Sequence, residues 1–289
     1  MASFKSKSNK MAVLIADSGA TKCEWCLLNG KKKTTIFTQG ISPYFLNIPE
    51  IESILRNELL PNLKKNLPEA IFYYGTGCAA KENAAMVQKA LKNVFNDAHI
   101  EVTHDLMGAA RATCMQEKGI TCILGTGSNS CYYNGSRITK NSPGLGFILG
   151  DEGSGAYLGK KVLQYYLYNT FDEELRYRFD ETYKTNKVEI LDHVYRGPLP
   201  NRYLAEFTLF LADNRGHFMV ENIIEDGLND FFFYHLNKYN ESWKYPVHFV
   251  GGVAEGFRDV VESLCDSYHF KRGVILKNPM EGLVKYHQQ

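Results

Sequence analysis

The chain has 289 residues, 44% of them hydrophobic and 22% charged, with a net charge of +1. That length holds one large domain or two of ordinary size, and the composition is that of a globular protein. A near-neutral charge gives no electrostatic case for nucleic acid or an anionic membrane as partner, and no apolar run approaches the roughly 18 residues of a membrane helix. The polar, lysine-rich start, Met1–Lys10, leads into no apolar signal core, because Val13–Ala16 is short and runs straight into Asp17. The expected location is cytoplasmic.

Met11–Lys22 predicts a buried strand, an acid at its end and a small hydroxyl-bearing turn, Ser18–Gly19–Ala20–Thr21. Trp25–Leu28 leads back out to an Asn29-Gly30 turn, which completes a hairpin signal. Such a turn can aim N–H groups, hydroxyls and the Lys22 ammonium at phosphate oxygens. The Asp17 carboxylate can hold Mg²⁺ through water. The same residues would equally serve an ordinary hairpin that begins with an acid. Lys33–Gln39 is a third strand, and the loop Ser42–Pro49 carries Tyr44, Phe45 and Asn47. A helix is expected over Ile51–Leu60, a strand over Ala70–Tyr74, a helix over Lys81–Phe95 and a strand over His99–His104. Asp105 closes that strand and opens a helix expected over Leu106–Lys118, with Gly119 as its stop.

The opening pattern then recurs. Ile120–Leu124 is apolar, Gly125-Thr126-Gly127-Ser128-Asn129-Ser130 is a small hydroxyl turn, and Cys131–Tyr133 runs back to Asn134-Gly135 and a third strand, Arg137–Lys140. Two copies about one small domain apart predict a duplicated β-β-β-α-β-α unit. Next come a loop, Pro143–Phe147, then Gly150-Asp151-Glu152-Gly153-Ser154-Gly155, and a helix to about Tyr168. Phe171–Asn237 reads as helical and aromatic, with Phe231–Phe233 facing a core. Val247–Val250 is a strand, Gly251-Gly252 a tight turn into a helix to about Tyr268, Val274–Leu276 a last strand and Pro279–Tyr286 a closing helix. The class is α/β.

Seven cysteines, an odd number in a chain long enough to build its own core, read as reduced thiols. Cys23 and Cys26 have metal spacing, but they fall on a strand, where residues three apart face opposite sides, so no zinc site is expected. The histidines form no ligand spacing and read as structural or surface groups. Two Gly/hydroxyl hairpins facing each other would pinch a polyphosphate between two domains, and the bare Gly251-Gly252 turn would let a nucleotide approach closely.

The order Asp-x-Gly-x-Thr-Lys, Gly-Thr-Gly-Ser-Asn, Gly-Asp-Glu-Gly-Ser and Gly-Gly-Val-Ala resembles the sugar kinase/Hsp70/actin nucleotide fold. More narrowly, it resembles the N-acetylglucosamine kinase-like members of the BadF/BadG/BcrA/BcrD ATPase family. The resemblance covers the chain after about Lys10. It implies two ribonuclease H-like domains, 1–117 and 118–289, with a nucleotide cleft between them and the last helix packed back on the first. It implies ATP and Mg²⁺ as cofactors, with Asp17, Ser18, Gly19, Thr21 and Lys22 at the first phosphate motif. Asp17 would lie near Mg²⁺. Gly125, Thr126, Gly127 and Ser128 would form the second phosphate motif, and Gly251 and Gly252 would sit beside the nucleoside. Asp105 would take the proton from the sugar hydroxyl, although an Asp there also suits a helix N-cap. Tyr44, Asn47, Gly144, Leu145 and Asp151 would contact the sugar. Leu145 and the Ser42–Asn47 loop depart from the family pattern, which bears on which sugar is bound.

The expected activity is phosphorylation of N-acetylglucosamine or a related amino hexose, a small-molecule partner; a homodimer is left open. The alternatives are an ATPase activator of a 2-hydroxyacyl-CoA dehydratase or benzoyl-CoA reductase-like system, and a non-catalytic ATP-gated protein. The activator branch carries an iron–sulfur cluster on Cys ligands, and its Cys-bearing loop would align near Gly150–Gly155, which holds no Cys.

Overall fold

The computed structural model describes residues 12–19, 22–30, 32–64 and 66–289. It divides into two compact units, one formed by the chain up to Ala112 together with Pro279–Gln289, the other by Thr113–Asn278.

The first unit is built on strands β1 (Val13–Ser18), β2 (Lys22–Asn29), β3 (Lys32–Gln39), β4 (Ala70–Gly75) and β5 (His99–His104). Their order in the sheet is β3-β2-β1-β4-β5. The first three form an antiparallel meander, and β4 and β5 run parallel to β1. Leu14, Ile15 and Ala16 are all fully buried, as a central strand covered on both faces requires. On β2, alternation sends Cys23, Trp25 and Leu27 into one core and Cys26 and Leu28 into another. The two spaced cysteines therefore lie on opposite faces of the sheet, as their strand placement predicts.

Helix α1 (Ile48–Ile54) begins three residues before its expected start. Asn47 and Glu50 form a reciprocal capping box there, with Pro49 in the first turn. Beyond Ile54 the chain continues as a π turn, Leu55–Leu59, and a 3₁₀ turn, Leu60–Leu63, which keep Leu55, Leu59 and Leu63 buried. Helices α2 (Lys81–Val94) and α3 (Asp105–Cys114) follow β4 and β5. The helix after Asp105 is shorter than its pattern suggests. Met115 takes a left-handed conformation (φ 55°) and ends it, and Gly119, expected as the stop, lies inside the next strand opposite Tyr133. The C-terminal helix, Met280–Tyr286, packs its Met280, Leu283 and Val284 on the face of the first sheet that holds Ile15, Cys26 and Leu28.

The second unit repeats the sheet. Strands β6 (Lys118–Leu124), β7 (Ser128–Asn134), β8 (Ile138–Ser142), β9 (Val247–Val250) and β10 (Arg272–Leu276) lie in the order β8-β7-β6-β9-β10. Again three strands are antiparallel and two more run parallel to the first. Between β8 and β9 come α4 (Gly146–Leu149), α5 (Gly155–Leu167), α6 (Glu173–Tyr183), α7 (Lys187–Arg196), α8 (Pro200–Glu206), α9 (Thr208–Asp213) and α10 (Phe218–Tyr234). Their core is aromatic: Phe171, Phe179, Phe207 and Phe210 are buried together, with the Phe179 and Phe210 rings edge to face at 5.5 Å. Of Phe231–Phe233, the first two are buried and Phe233 is 53% exposed, because successive helical residues turn away by about 100°. After β9, α11 (Gly252–Gly256) and α12 (Arg258–Ser267) are separated by Phe257, whose ring is buried. Among the described residues no helix is long and apolar enough to cross a membrane.

Candidate active site

In the first unit the chemistry gathers at the carboxyl ends of the parallel strands, where open α/β sheets present ligand sites. Ser18 lies opposite Gly75, and Gly75 opposite His104. Asp17 at the end of β1 and Asp105 just past β5 thus flank the Gly75-Thr76-Gly77 turn after β4. Burial raises the Asp105 carboxyl above its usual range, against the pull of the Leu106 N–H that its Oδ1 accepts at 2.8 Å. Asp105 is the first residue of α3. Its oxygen is bonded to the next residue rather than two or three residues on, so it is not a conventional N-cap.

Asp17 is pushed up to about 7, first by burial and then by the negative charges of Asp105 and Glu24. A carboxylate so short of positive charge suits a cation. Among the described residues no three His, Cys, Asp or Glu side chains gather to form a metal cage. Mg²⁺ is satisfied by one carboxylate plus phosphate oxygens and waters, so the donors present fit it at Asp17.

The rest of the first motif is ordered by backbone bonds. Gly19 donates its N–H to Lys22 O at 3.0 Å, closing the turn. Ser18 is buried, and its hydroxyl accepts the Ile41 N–H at 3.0 Å, so its side chain anchors the strand end to the loop ahead of Tyr44. The Lys22 ammonium lies 3.7 Å above the Phe37 ring. Thr21 lies outside the described residues.

In the second unit the corresponding turn is Gly125–Gly127, shorter than the six-residue turn expected, because β7 begins at Ser128. Gly125 donates to Gly127 O at 3.0 Å, and the amides of Gly155 and Ala156 donate to Gly125 O and Thr126 O. The turn is thereby locked to the start of α5. Ser128 Oγ is buried and has no hydrogen-bond partner among the described residues, an uncommon state for a buried hydroxyl. Asp151 has a left-handed backbone (φ 57°); burial raises its carboxyl from the usual range against the pull of the nearby Ser128 N–H, and its Oδ2 would lie 3.0 Å from a Cβ at Gly127. A residue assigned to sugar and a residue assigned to phosphate are therefore in contact within this unit. Gly251 has φ 135°, and a Cβ there would lie 2.1 Å from Leu124 O. Only glycine lets β9 end against β6 in this way. Gly252 faces open space.

The remaining sugar candidates are more exposed. Tyr44 is 68% exposed, its ring against Gly77. The Asn47 Oδ1 is occupied by the Glu50 N–H in the α1 cap. Gly144 and Leu145 sit in the short connection before α4, and Leu145 is exposed. Sequence reasoning missed His235, which is buried just beyond α10. Its Nε2 lies 3.0 Å from Glu152 Oε2 and its Nδ1 3.0 Å from Ser142 Oγ. The partners are 83 and 93 residues away, and nothing local in the sequence marks the pairing.

The duplicated β-β-β-α-β-α sheet is that of the actin-like ATPase fold of carbohydrate kinases. A candidate N-acetylglucosamine kinase from Porphyromonas gingivalis is 39% identical, with a TM-score of 0.91 over 95% of this chain and 98% of that one. The chain belongs to the N-acetylglucosamine kinase-like family of carbohydrate kinases. It is also 24% identical over 200 residues to the N-acetylmuramic acid/N-acetylglucosamine kinase of Clostridium acetobutylicum. That match takes in 63% of this chain and spans 64% of the length of the curated relative. A ROK family glucokinase from Streptomyces griseus, in complex with glucose and AMPPNP, shares the fold at 12% identity, with a TM-score of 0.54 over 96% of this chain and 98% of that one. No protein-family model matches the chain.

Proposed function

We propose that the chain transfers phosphate from ATP to a hydroxyl of N-acetylglucosamine or a related amino hexose, with Asp105 as general base, and that it falls in the BadF/BadG/BcrA/BcrD branch of its fold. The observation that carries the reading is the partnerless Ser128 hydroxyl in a glycine turn, because an ordered phosphate oxygen would satisfy it. Gly125 already donates to Gly127 O, and the Ser128 N–H lies near the Asp151 carboxylate. The contacts to phosphate therefore fall to the Thr126 and Gly127 amides and the Ser128 hydroxyl. At the first motif Thr21 and Lys22 take that task and Asp17 takes the cation, since the Gly19 N–H already donates to Lys22 O. Gly252, which faces open space, leaves room for the nucleoside, and Gly251 sets the turn that brings it there.

Phosphoryl transfer asks little covalent chemistry of a protein and much positioning. Asp105 holds the acceptor hydroxyl in line and takes its proton as the bond to phosphorus forms. Burial, which raises its affinity for that proton, suits the role. Mg²⁺ at Asp17, held through water, would neutralise charge on the phosphate oxygens. Tyr44, Asn47, Gly144, Leu145 and Asp151 would read the sugar.

A coupled ADP-release screen over hexoses, hexosamines and N-acetylated hexosamines tests the reading. Turnover that depends on an N-acetylated hexosamine is expected, and ATP hydrolysis indifferent to every sugar would refute it. Stoichiometric iron and sulfide in anaerobically purified protein would instead favour the activator branch.

A further inference from the structure

We infer that Glu152 is a second acceptor-binding carboxylate beside Asp151, and that His235 is the positioning residue that aims it. The inference rests on the sugar-kinase reading and extends its acceptor site to two residues that neither the motifs nor the comparisons assign.

Three constraints hold one carboxylate. Glu152 Oε2 meets His235 Nε2 at 3.0 Å, and the other ring nitrogen meets Ser142 Oγ at 3.0 Å. The imidazole also stacks on Phe231, with centroids 4.9 Å apart. An ionised carboxylate only accepts, so the pair requires the proton on Nε2. In the neutral ring Nδ1 is then the acceptor of the Ser142 hydroxyl proton. Behind Ser142 the chain of bonds continues: the Ser142 N–H donates to the Tyr239 hydroxyl, which donates to Ser130 O at 3.0 Å. Ser130 lies in β7, two residues after Ser128. Ser130, Ser142, His235 and Tyr239 are all buried. The Glu152 carboxylate is thereby fixed to the strand that carries the second phosphate turn.

Stability alone does not call for this arrangement. A carboxylate on a loop is cheapest left in water, and half-burying it costs free energy. Here one oxygen is spent on a buried histidine, while Oε1 makes no hydrogen bond among the described residues. Asp151, its neighbour, sits in a left-handed backbone conformation that a non-glycine residue adopts at a cost. That turn sets the Asp151 carboxylate beside Gly127 and the Glu152 carboxylate onto His235. Two adjacent acids, one of them held by a single oxygen, are placed as acceptors for adjacent hydroxyl donors of a polyol, and a sugar ring offers such vicinal hydroxyls. The same logic, a side chain fixed by a buried partner so that its free atom points at a ligand, governs residues that support metal-binding histidines.

Four variants test this by calorimetric titration with N-acetylglucosamine and by steady-state kinetics, each with a melting temperature. Glu152→Gln keeps the shape and should raise the acceptor KM and Kd about tenfold, with the KM for ATP changed less than twofold. His235→Phe keeps the stack and loses the donor, and should show the same selective loss. His235→Gln restores an N–H toward Glu152 and should recover at least a third of that loss. Ser142→Ala leaves both residues in place and should give an effect of two- to fivefold. Unchanged acceptor binding in Glu152→Gln, or equal losses in His235→Phe and His235→Gln, would overturn the inference while leaving the kinase reading intact. A wild-type protein that binds none of the screened sugars would overturn both.

Discussion

Replacing Asp105 by Asn isolates proton transfer from everything else the residue does. The Asn side chain is the same size, and its Oδ1 can still accept the Leu106 N–H that Asp105 accepts at 2.8 Å, so the start of α3 is preserved. What is lost is a group able to take a proton. General-base catalysis contributes roughly 10²–10⁴ in rate, equivalent to about 3–5 kcal/mol in the barrier at 1.36 kcal/mol per factor of ten. Sugar-dependent kcat should therefore fall at least a hundredfold. ATP affinity by titration calorimetry should stay within twofold, because the residue holds a hydroxyl and not a phosphate. The melting temperature should hold or rise, because Asp17 loses a like-charged neighbour that helps push it to about 7. The assay is ADP release coupled to NADH oxidation, run at saturating sugar so that a change in sugar binding cannot pass for a change in chemistry. An Asn variant that keeps more than a tenth of wild-type kcat would refute the base assignment.

Gly251→Ala places a Cβ 2.1 Å from Leu124 O at φ 135°. It should cost about 2–4 kcal/mol, read as a lowered urea midpoint; a midpoint within error of wild type would contradict the close approach. His248 is buried and accepts the Val274 N–H on Nδ1 at 3.0 Å, and burial lowers its pKa to about 4. A histidine lowered from about 6.5 stabilises fully above pH 6.5, and that contribution is lost as pH falls toward 4, at up to about 1.4 kcal/mol per pH unit. The stability advantage of wild type over His248→Asn, whose Oδ1 can still accept from Val274, should shrink across that window; a flat difference in urea melts at pH 4.5 and 7 would count against it. Asn47→Asp keeps the helix cap, since Asp caps as well as Asn, and removes the amide. If Asn47 reads the sugar, its KM should rise several-fold with no fall in melting temperature, and an unchanged KM would assign the residue to the cap alone.

The fold was legible where periodicity is strong. Val13–Ala16 and Ile120–Leu124 read as buried strands because both faces of each sheet are covered, and the Asn-Gly turns fixed the hairpins. The end of α3 was not legible. A glycine after a helical run is the usual stop, but here Met115 supplies the left-handed turn and Gly119 belongs to β6. The start of α1 was missed because Asn47, read as part of the Ser42–Pro49 loop, forms a capping box with Glu50. At the candidate site, residues on short turns were found because their chemistry is local. His235 was not, because it acquires its partners through the packing of α10 behind the second sheet, and no spacing of histidines records that.

The repeat assigns different work to equivalent positions. In the first sheet the ends of the parallel strands carry Asp17 and Asp105, and each disfavours the charge of the other. In the second, Gly125 follows β6 at the place where Asp17 ends β1, while Gly251 follows β9 as the Gly75 turn closes β4. The asymmetry follows from the substrates in the proposed reaction. A polyphosphate brings its own negative charge, so the turn proposed to cradle it does best with amides and a hydroxyl on its own residues. A proton and a cation need negative charge, and two acids short of positive partners bind both more strongly than either would alone. The acids beside the second sheet, Asp151 and Glu152, are correspondingly placed, one against Gly127 and one tied down on His235. Releasing Glu152 frees a negative charge near the proposed phosphate turn. At ordinary ionic strength screening keeps the loss in His235→Phe selective for the acceptor; only at low salt should its ATP binding weaken, and it should converge on that of wild type above about 0.5 M salt.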